Sequence, residues 1–230
     1  MATQGQPRPV IRGKMGEEGS EITYYVLKMS ISELVRDVLL TTEISTYDNK
    51  TLSDSLQRTL KKSRSKKDIA RYLAEAHKYG ERFMGSFVVA TFGGAPKWYP
   101  IPLDKKHPTY EFFASDINDF GLIKFDGTQK YFVLDGQHRL YSLKSLFGLL
   151  PDVAQKYQRP DGLADDELSV LVISNIDPTN EEKTLKEEPF RKRLRRVFTV
   201  LNRHAKQTSR VENISMDEDD IAAIHTRRLL

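Results

Sequence analysis

A chain of 230 residues, 39% of them hydrophobic and 30% charged, can bury one good core and at most a small second lobe. It has no cysteine, which excludes disulfides, thiolate metal sites, iron–sulfur clusters and any thiol or persulfide chemistry carried by this chain. A net charge of +4 permits an anionic partner without requiring one, no run approaches the roughly 18 apolar residues of a membrane span, and the opening MATQGQPRPVIRGK lacks the apolar core of a secretion signal, so the cytoplasm is the expected compartment.

In chain order, residues 1–20 are polar and rich in Pro and Gly, and read as a flexible arm ahead of a single domain over 21–230. EITYYVLKM has the aromatic and β-branched content of a strand. SISELVRDVLL reads as a helix capped by Ser30 or Ser32, with Leu34, Val35, Val38 and Leu39 on one face. The polar stretch 42–67 reads as a helix bounded by basic loops, and in it Lys61, Lys62, Arg64, Lys66 and Lys67 stand without an acid among them, either as a solvated face or as an anion contact. An amphipathic helix, KKDIARYLAEAHKYG, follows, with Gly80 as its stop.

FMGSFVVATFGG is short, β-branched and bounded by glycines, as a buried strand is. FGLIKFDGTQKYFVLDG reads as a hairpin turning at Asp126-Gly127, and LSVLVISNIDP as one more buried strand. In EEPFRKRLRRVFTVLNRHAKQTSR, Phe190, Leu194, Val197, Phe198, Leu201 and Ala205 recur at helical spacing, and Glu187, Glu188 and Pro189 mark the start. Arg191, Lys192, Arg193, Arg195 and Arg196 crowd the other faces. Such a helix repels itself unless an anion or an acidic neighbour compensates, so two readings stay open: contact with a phosphate backbone, or pairing with the acidic SMDEDDIAAIH downstream.

The whole is α+β, with strands concentrated between about Phe83 and Ile176 and helices at both ends. His77 and His107 stand without a second ligand at metal spacing, and no metal site is expected. Trp98, Tyr99, Tyr110, Phe112 and Phe113 read as a loop packed on the sheet rather than as a base-stacking surface.

The stretch VLDGQHRLYSLKSL carries the most chemistry. A strand enters a helix through Asp135-Gly136, and the first amides of that helix, with the positive end of its dipole, suit an anion. Gly136 lets a ligand approach the backbone. Arg139 in the first turn opposes the dipole, which a bound anion or a buried carboxylate would explain. His138 offers a second anion contact or acid–base chemistry, and Gln137 neutral hydrogen bonds. The alternative is structural: Asp135 as cap, Gly136 as turn, His138 and Arg139 with internal partners.

DGQHR after a strand and before a helix is the signature of the DGQHR-domain family, and the order GSFVVATFG, KYFVLDGQHRLYSLKSLFG, LSVLVIS resembles the ParB/sulfiredoxin-like superfamily. That resemblance implies an α+β ParB/sulfiredoxin-like core, a mixed sheet with a strand-to-helix phosphate loop, flanked by N- and C-terminal helices. Gly136 and Arg139 fall on a Gly-x-x-Arg box that cradles nucleotide phosphates. FTVLNRHAKQTS and SMDEDDIAAIHTRRLL are similar to the continuation in the DndB type of DNA sulfur modification protein, with Asn202 on the asparagine of a Glu-Asn-x-x-Arg box, although Leu201 replaces the glutamate and Arg203 stands one position after the asparagine.

The resemblance implies a DNA-binding transcriptional regulator of a phosphorothioate modification system. Double-stranded DNA would be met by the two basic runs with Arg203 and Lys206, and a nucleoside triphosphate, with or without magnesium, by Gly136, Gln137, His138, Arg139 and Asn202. Asp135 and His138 are the catalytic candidates if hydrolysis occurs, and the alternative is a nucleoside triphosphatase or nuclease-like enzyme of a DNA modification or anti-phage defence system. Other DNA modification proteins and a second copy of the chain are the implied partners. Family members run longer than this chain, which is then either a piece of a longer protein or a short divergent member. Sulfiredoxin chemistry is excluded with the cysteine.

Overall fold

The computed structural model describes residues 5–16, 21–40, 43, 65–75, 82–102, 104–108, 110–113, 117–150, 157–179 and 184–204. The chain divides into two compact units, Met1–Arg195 and Arg196–Leu230, a division inside the span read as one domain. The first unit is α+β. Its eight strands are β1 (Arg8–Met15), β2 (Ile22–Ser30), β3 (Val38–Leu39), β4 (Phe87–Phe92), β5 (Lys97–Pro100), β6 (Phe120–Lys124), β7 (Lys130–Asp135) and β8 (Glu167–Ser174). They form one sheet in the order β3-β7-β4-β8-β2-β1-β6-β5. The sheet is mixed: β3–β7 and β4–β8 are parallel and the other neighbours antiparallel.

Helices α1 (Ile31–Asp37), α2 (Ser65–Glu75) and α4 (Gln137–Leu146) contribute to the main core, whose sheet floor is Tyr25, Leu27, Phe87, Val89, Val133, Val170 and Val172. Leu34, Leu73, Leu140 and Leu143 are buried against it. A short helix α3 (Tyr110–Phe113) and a 3-10 turn, Ile117–Asp119, precede β6. Helix α5 (Glu187–His204) brings buried Phe190 to Phe92, ring centroids 5.0 Å apart, and Phe92 in turn meets Phe132 at 5.6 Å.

Helix α1 starts where the sequence places it. Ser30 accepts from the Glu33 amide, and the Glu33 carboxylate accepts from the Ser30 amide in a capping box. It ends early, because Val38 and Leu39, expected on its apolar face, leave the helix and pair in parallel with Tyr131 and Phe132.

Two further expectations are corrected. Residues 8–15, placed in a flexible arm, are strand β1, bonded to β2 on one side and β6 on the other. The alternation is masked because its inward residues include arginines: Val10 is buried, while Arg8 pairs with Glu33 and Arg12 with Asp119 at 3.1 Å. The DG hairpin is not a hairpin. Asp126 does hold a turn, accepting from the Thr128 amide and hydroxyl, with Gly127 at φ 94°. Yet β6 pairs with β1 and β5, and β7 with β4 and β3. The reason lies in burial: Tyr131 to Leu134 are all buried, as in a strand covered on both faces, whereas β6 alternates buried and half-buried residues and has one open face.

Candidate functional site

Strand β7 delivers Asp135 to the sheet end, and Gly136 turns the chain into α4 with φ 92°, in the left-handed region. A side chain at that position is doubly disfavoured. An added Cβ would lie 2.5 Å from Cδ1 of the buried Phe87, besides the strained backbone. No side chain caps α4. The first intrahelical bond runs from the Leu140 amide to the Gly136 carbonyl, so the amides of residues 137–139 precede the helical ladder and lie at the positive end of its dipole.

Arg139 crosses this turn. Its guanidinium donates to the Gly85 carbonyl, to the Ser86 carbonyl at 3.1 Å and to Asp135 Oδ2 at 3.3 Å, and its carbon lies 4.6 Å from the Phe87 ring centroid. The charge is therefore fixed at the mouth of the loop by the segment entering β4. Its side chain keeps 24% exposure, against 55% for Asp135. Gly85 and Ser86 were not among the sequence candidates. The only local signal for them is the Gly-Ser pair before a buried strand, and their part is played by carbonyls, which every residue has.

His138 is exposed on the first turn of α4, and partial burial of its ring pushes its pKa below the ordinary imidazole value. Its carbonyl accepts from the Ser142 hydroxyl at 3.1 Å. Gln137 is half-buried beside it. Asp135, Gly136, Gln137, His138 and Arg139 are thus brought together in one continuous stretch where β7 ends and α4 begins.

The basic helix is more engaged than its sequence suggests. Arg191 lies over the Phe92 ring at 5.8 Å, Arg193 donates to the Glu21 carbonyl at 3.0 Å, and Arg195 approaches Glu188 at 3.6 Å. Lys192 and Arg196 are exposed. Asn202 and Arg203 fall in the last turn of α5, and Lys66 and Lys67 in the first turn of α2. Lys61, Lys62, Arg64 and Lys206 lie outside the described residues, as do His77 and the acidic stretch after Ser215. Trp98 does pack on the sheet: its ring covers Gly121, with Arg12 at 5.2 Å. Tyr99 and Phe112 are exposed instead, at 42% and 78%.

Among the described residues no helix is long and apolar enough to cross a membrane. No curated protein and no solved structure matches the chain. The family model of DndB, DNA-sulfur modification-associated, matches residues 9–230, a span that includes the uncapped turn with its pinned arginine and the whole of α5. The chain belongs to the DndB family of DNA sulfur modification.

Proposed function

We propose that this protein is a DNA-binding regulator in its modification system and that the Asp135–Arg139 turn binds the phosphates of a nucleoside triphosphate. The observation that carries the second part is the uncapped α4 N-terminus, opened by a left-handed Gly136 and faced by a guanidinium already held in place. Backbone amides at Gly136 and Gln137 receive phosphate oxygens, Arg139 neutralises charge, and His138 supplies a further contact. The chemistry of the turn fits magnesium weakly, because Asp135 is one exposed carboxylate already shared with Arg139. The core is read as ParB/sulfiredoxin-like, a reading supported by the β7–α4 turn standing on a mixed sheet.

Duplex DNA is assigned to α5, through Lys192 and Arg196, which are exposed and four residues apart on one helix. A homodimer would present that helix twice, as palindromic operators require.

The test titrates each nucleoside triphosphate into the protein, with and without magnesium, and repeats the series on Arg139→Ala and His138→Ala. Affinity is expected to fall at least tenfold in the first and severalfold in the second. Because Arg139 also holds Gly85 and Ser86, the solvent-facing His138→Ala decides: unchanged affinity in both variants overturns the phosphate site. For DNA, Lys192→Gln with Arg196→Gln should weaken duplex binding and reduce its salt slope by about 2. An exposed carboxylate beside the phosphates also favours a second reading, a triphosphatase, in which Asp135→Asn abolishes metal-dependent turnover while nucleotide still binds.

A further inference from the structure

The half-sheet β2-β1-β6-β5 has two unlike faces. Alternation along β1 puts Val10 and Arg12 towards the core and Ile11, Gly13 and Met15 on the other side. Register extends that outer face: Gly13 stands opposite Tyr24, Ile11 opposite Phe120, Leu122 opposite Tyr99, and Lys124 opposite Lys97. It is open to solvent, with Ile11 51%, Met15 63% and Tyr99 42% exposed. Tyr24 lies across the glycine opposite it, since a Cβ on Gly13 would come within 2.4 Å of the ring. The ring is thereby laid along the sheet rather than raised from it.

The charges on this face point to a ligand. Lys97 and Lys124 are directly opposed on neighbouring antiparallel strands, which puts their Cβ atoms about 5 Å apart, and like charges in that position destabilise a sheet. Neither has an ion pair among the described residues. A polyanion resolves the repulsion. The aromatic and aliphatic surface beside the two lysines decides which one: the bases of a duplex are stacked on each other, whereas a single strand offers free base faces to a flat apolar platform and its phosphates to nearby cations.

We propose that this outer face binds a single strand of nucleic acid, with bases stacked on Tyr99 and Tyr24 and a phosphate held between Lys97 and Lys124. The site lies at the other end of the sheet from the Asp135–Arg139 turn, and it stands or falls independently of the functions proposed for that turn and for α5.

The experiment is fluorescence anisotropy with labelled oligo-dT and oligo-U of about ten nucleotides, a length in the range single-strand sites occupy. The two oligomers distinguish DNA from RNA as the strand preferred. Wild-type protein should bind at least one of them at low salt. Lys97→Gln with Lys124→Gln should weaken binding and make the slope of log affinity against log salt shallower by about 1. Tyr99→Ala should weaken it roughly tenfold with little change in that slope. Lys97 and Tyr99 sit on the edge strand β5 and Lys124 at the end of its neighbour β6, and circular dichroism with a thermal melt confirms that each variant is folded; Lys97→Gln alone is the milder substitute. No binding by wild-type protein, or equal binding by wild type and both variants, overturns the proposal. So does light scattering that shows the variants converting a dimer to a monomer, since the face would then join two copies of the chain.

Discussion

At the level of single residues, the DGQHR turn has a structural task and, in the function proposed for it, a chemical one as well. Gly136 must be glycine for two reasons that add: its backbone is left-handed, and Phe87 occupies the space a side chain would need. Gly136→Ala should therefore destabilise the protein by about 2–5 kcal/mol, the sum of a left-handed non-glycine residue and an overpacked contact, and a urea melt measures it. His138 responds to pH. Its folded pKa lies below its unfolded one, so the unfolded chain binds more protons in the window beneath the ordinary imidazole value, and stability falls as pH falls through that window. An anion bound at the turn favours the protonated ring and works in the opposite direction. Nucleotide affinity should thus rise as pH drops from about 7.5 to about 5.5, and calorimetry on His138→Ala should show that part of the rise gone. The glycine, histidine and arginine were readable as a set in the sequence. What they touch was not, because Arg139 is held by carbonyls more than fifty positions upstream.

Among the elements, helix α5 shows how much of a charge pattern the fold itself engages. Five cations in six positions suggest a surface given over to a polyanion. In the folded chain, Arg191, Arg193 and Arg195 already meet an aromatic ring, a carbonyl and a carboxylate. The apolar stripe was legible at helical spacing, and Phe190 and Leu194 are indeed buried. Phe190→Ala removes the ring that packs on Phe92 and should cost about 3–5 kcal/mol. A lower melting temperature together with weaker duplex binding would show that the docked helix is the one that meets DNA; a lower melting temperature alone would separate the two properties. Strands were likewise legible one at a time, from β-branched runs and bounding glycines. Their neighbours were not, since the DG turn between β6 and β7 is a genuine turn that joins strands with different burial requirements.

For the whole first unit, the largest gap between sequence and structure is β1. Its inward arginines and its Pro9 and Gly13 make it resemble a tail, yet it is the seam between β2 and β6. Removing residues 1–16 would open two strand edges at once, and exposed edges template aggregation. The truncated protein should be insoluble or aggregated on size exclusion; a soluble monomer with an unchanged dichroism spectrum would show the seam to be dispensable.

The pairing of β2 with β8 joins Tyr24 to Ile173, about 150 positions apart in the chain. At the usual pace of synthesis, that interval lasts on the order of ten seconds or more on the ribosome. Throughout it, one flank of an aromatic, β-branched segment waits for a partner not yet translated. Such a topology makes refolding slow compared with helical proteins of similar size, and it makes the nascent chain a natural client for holding chaperones during its own production.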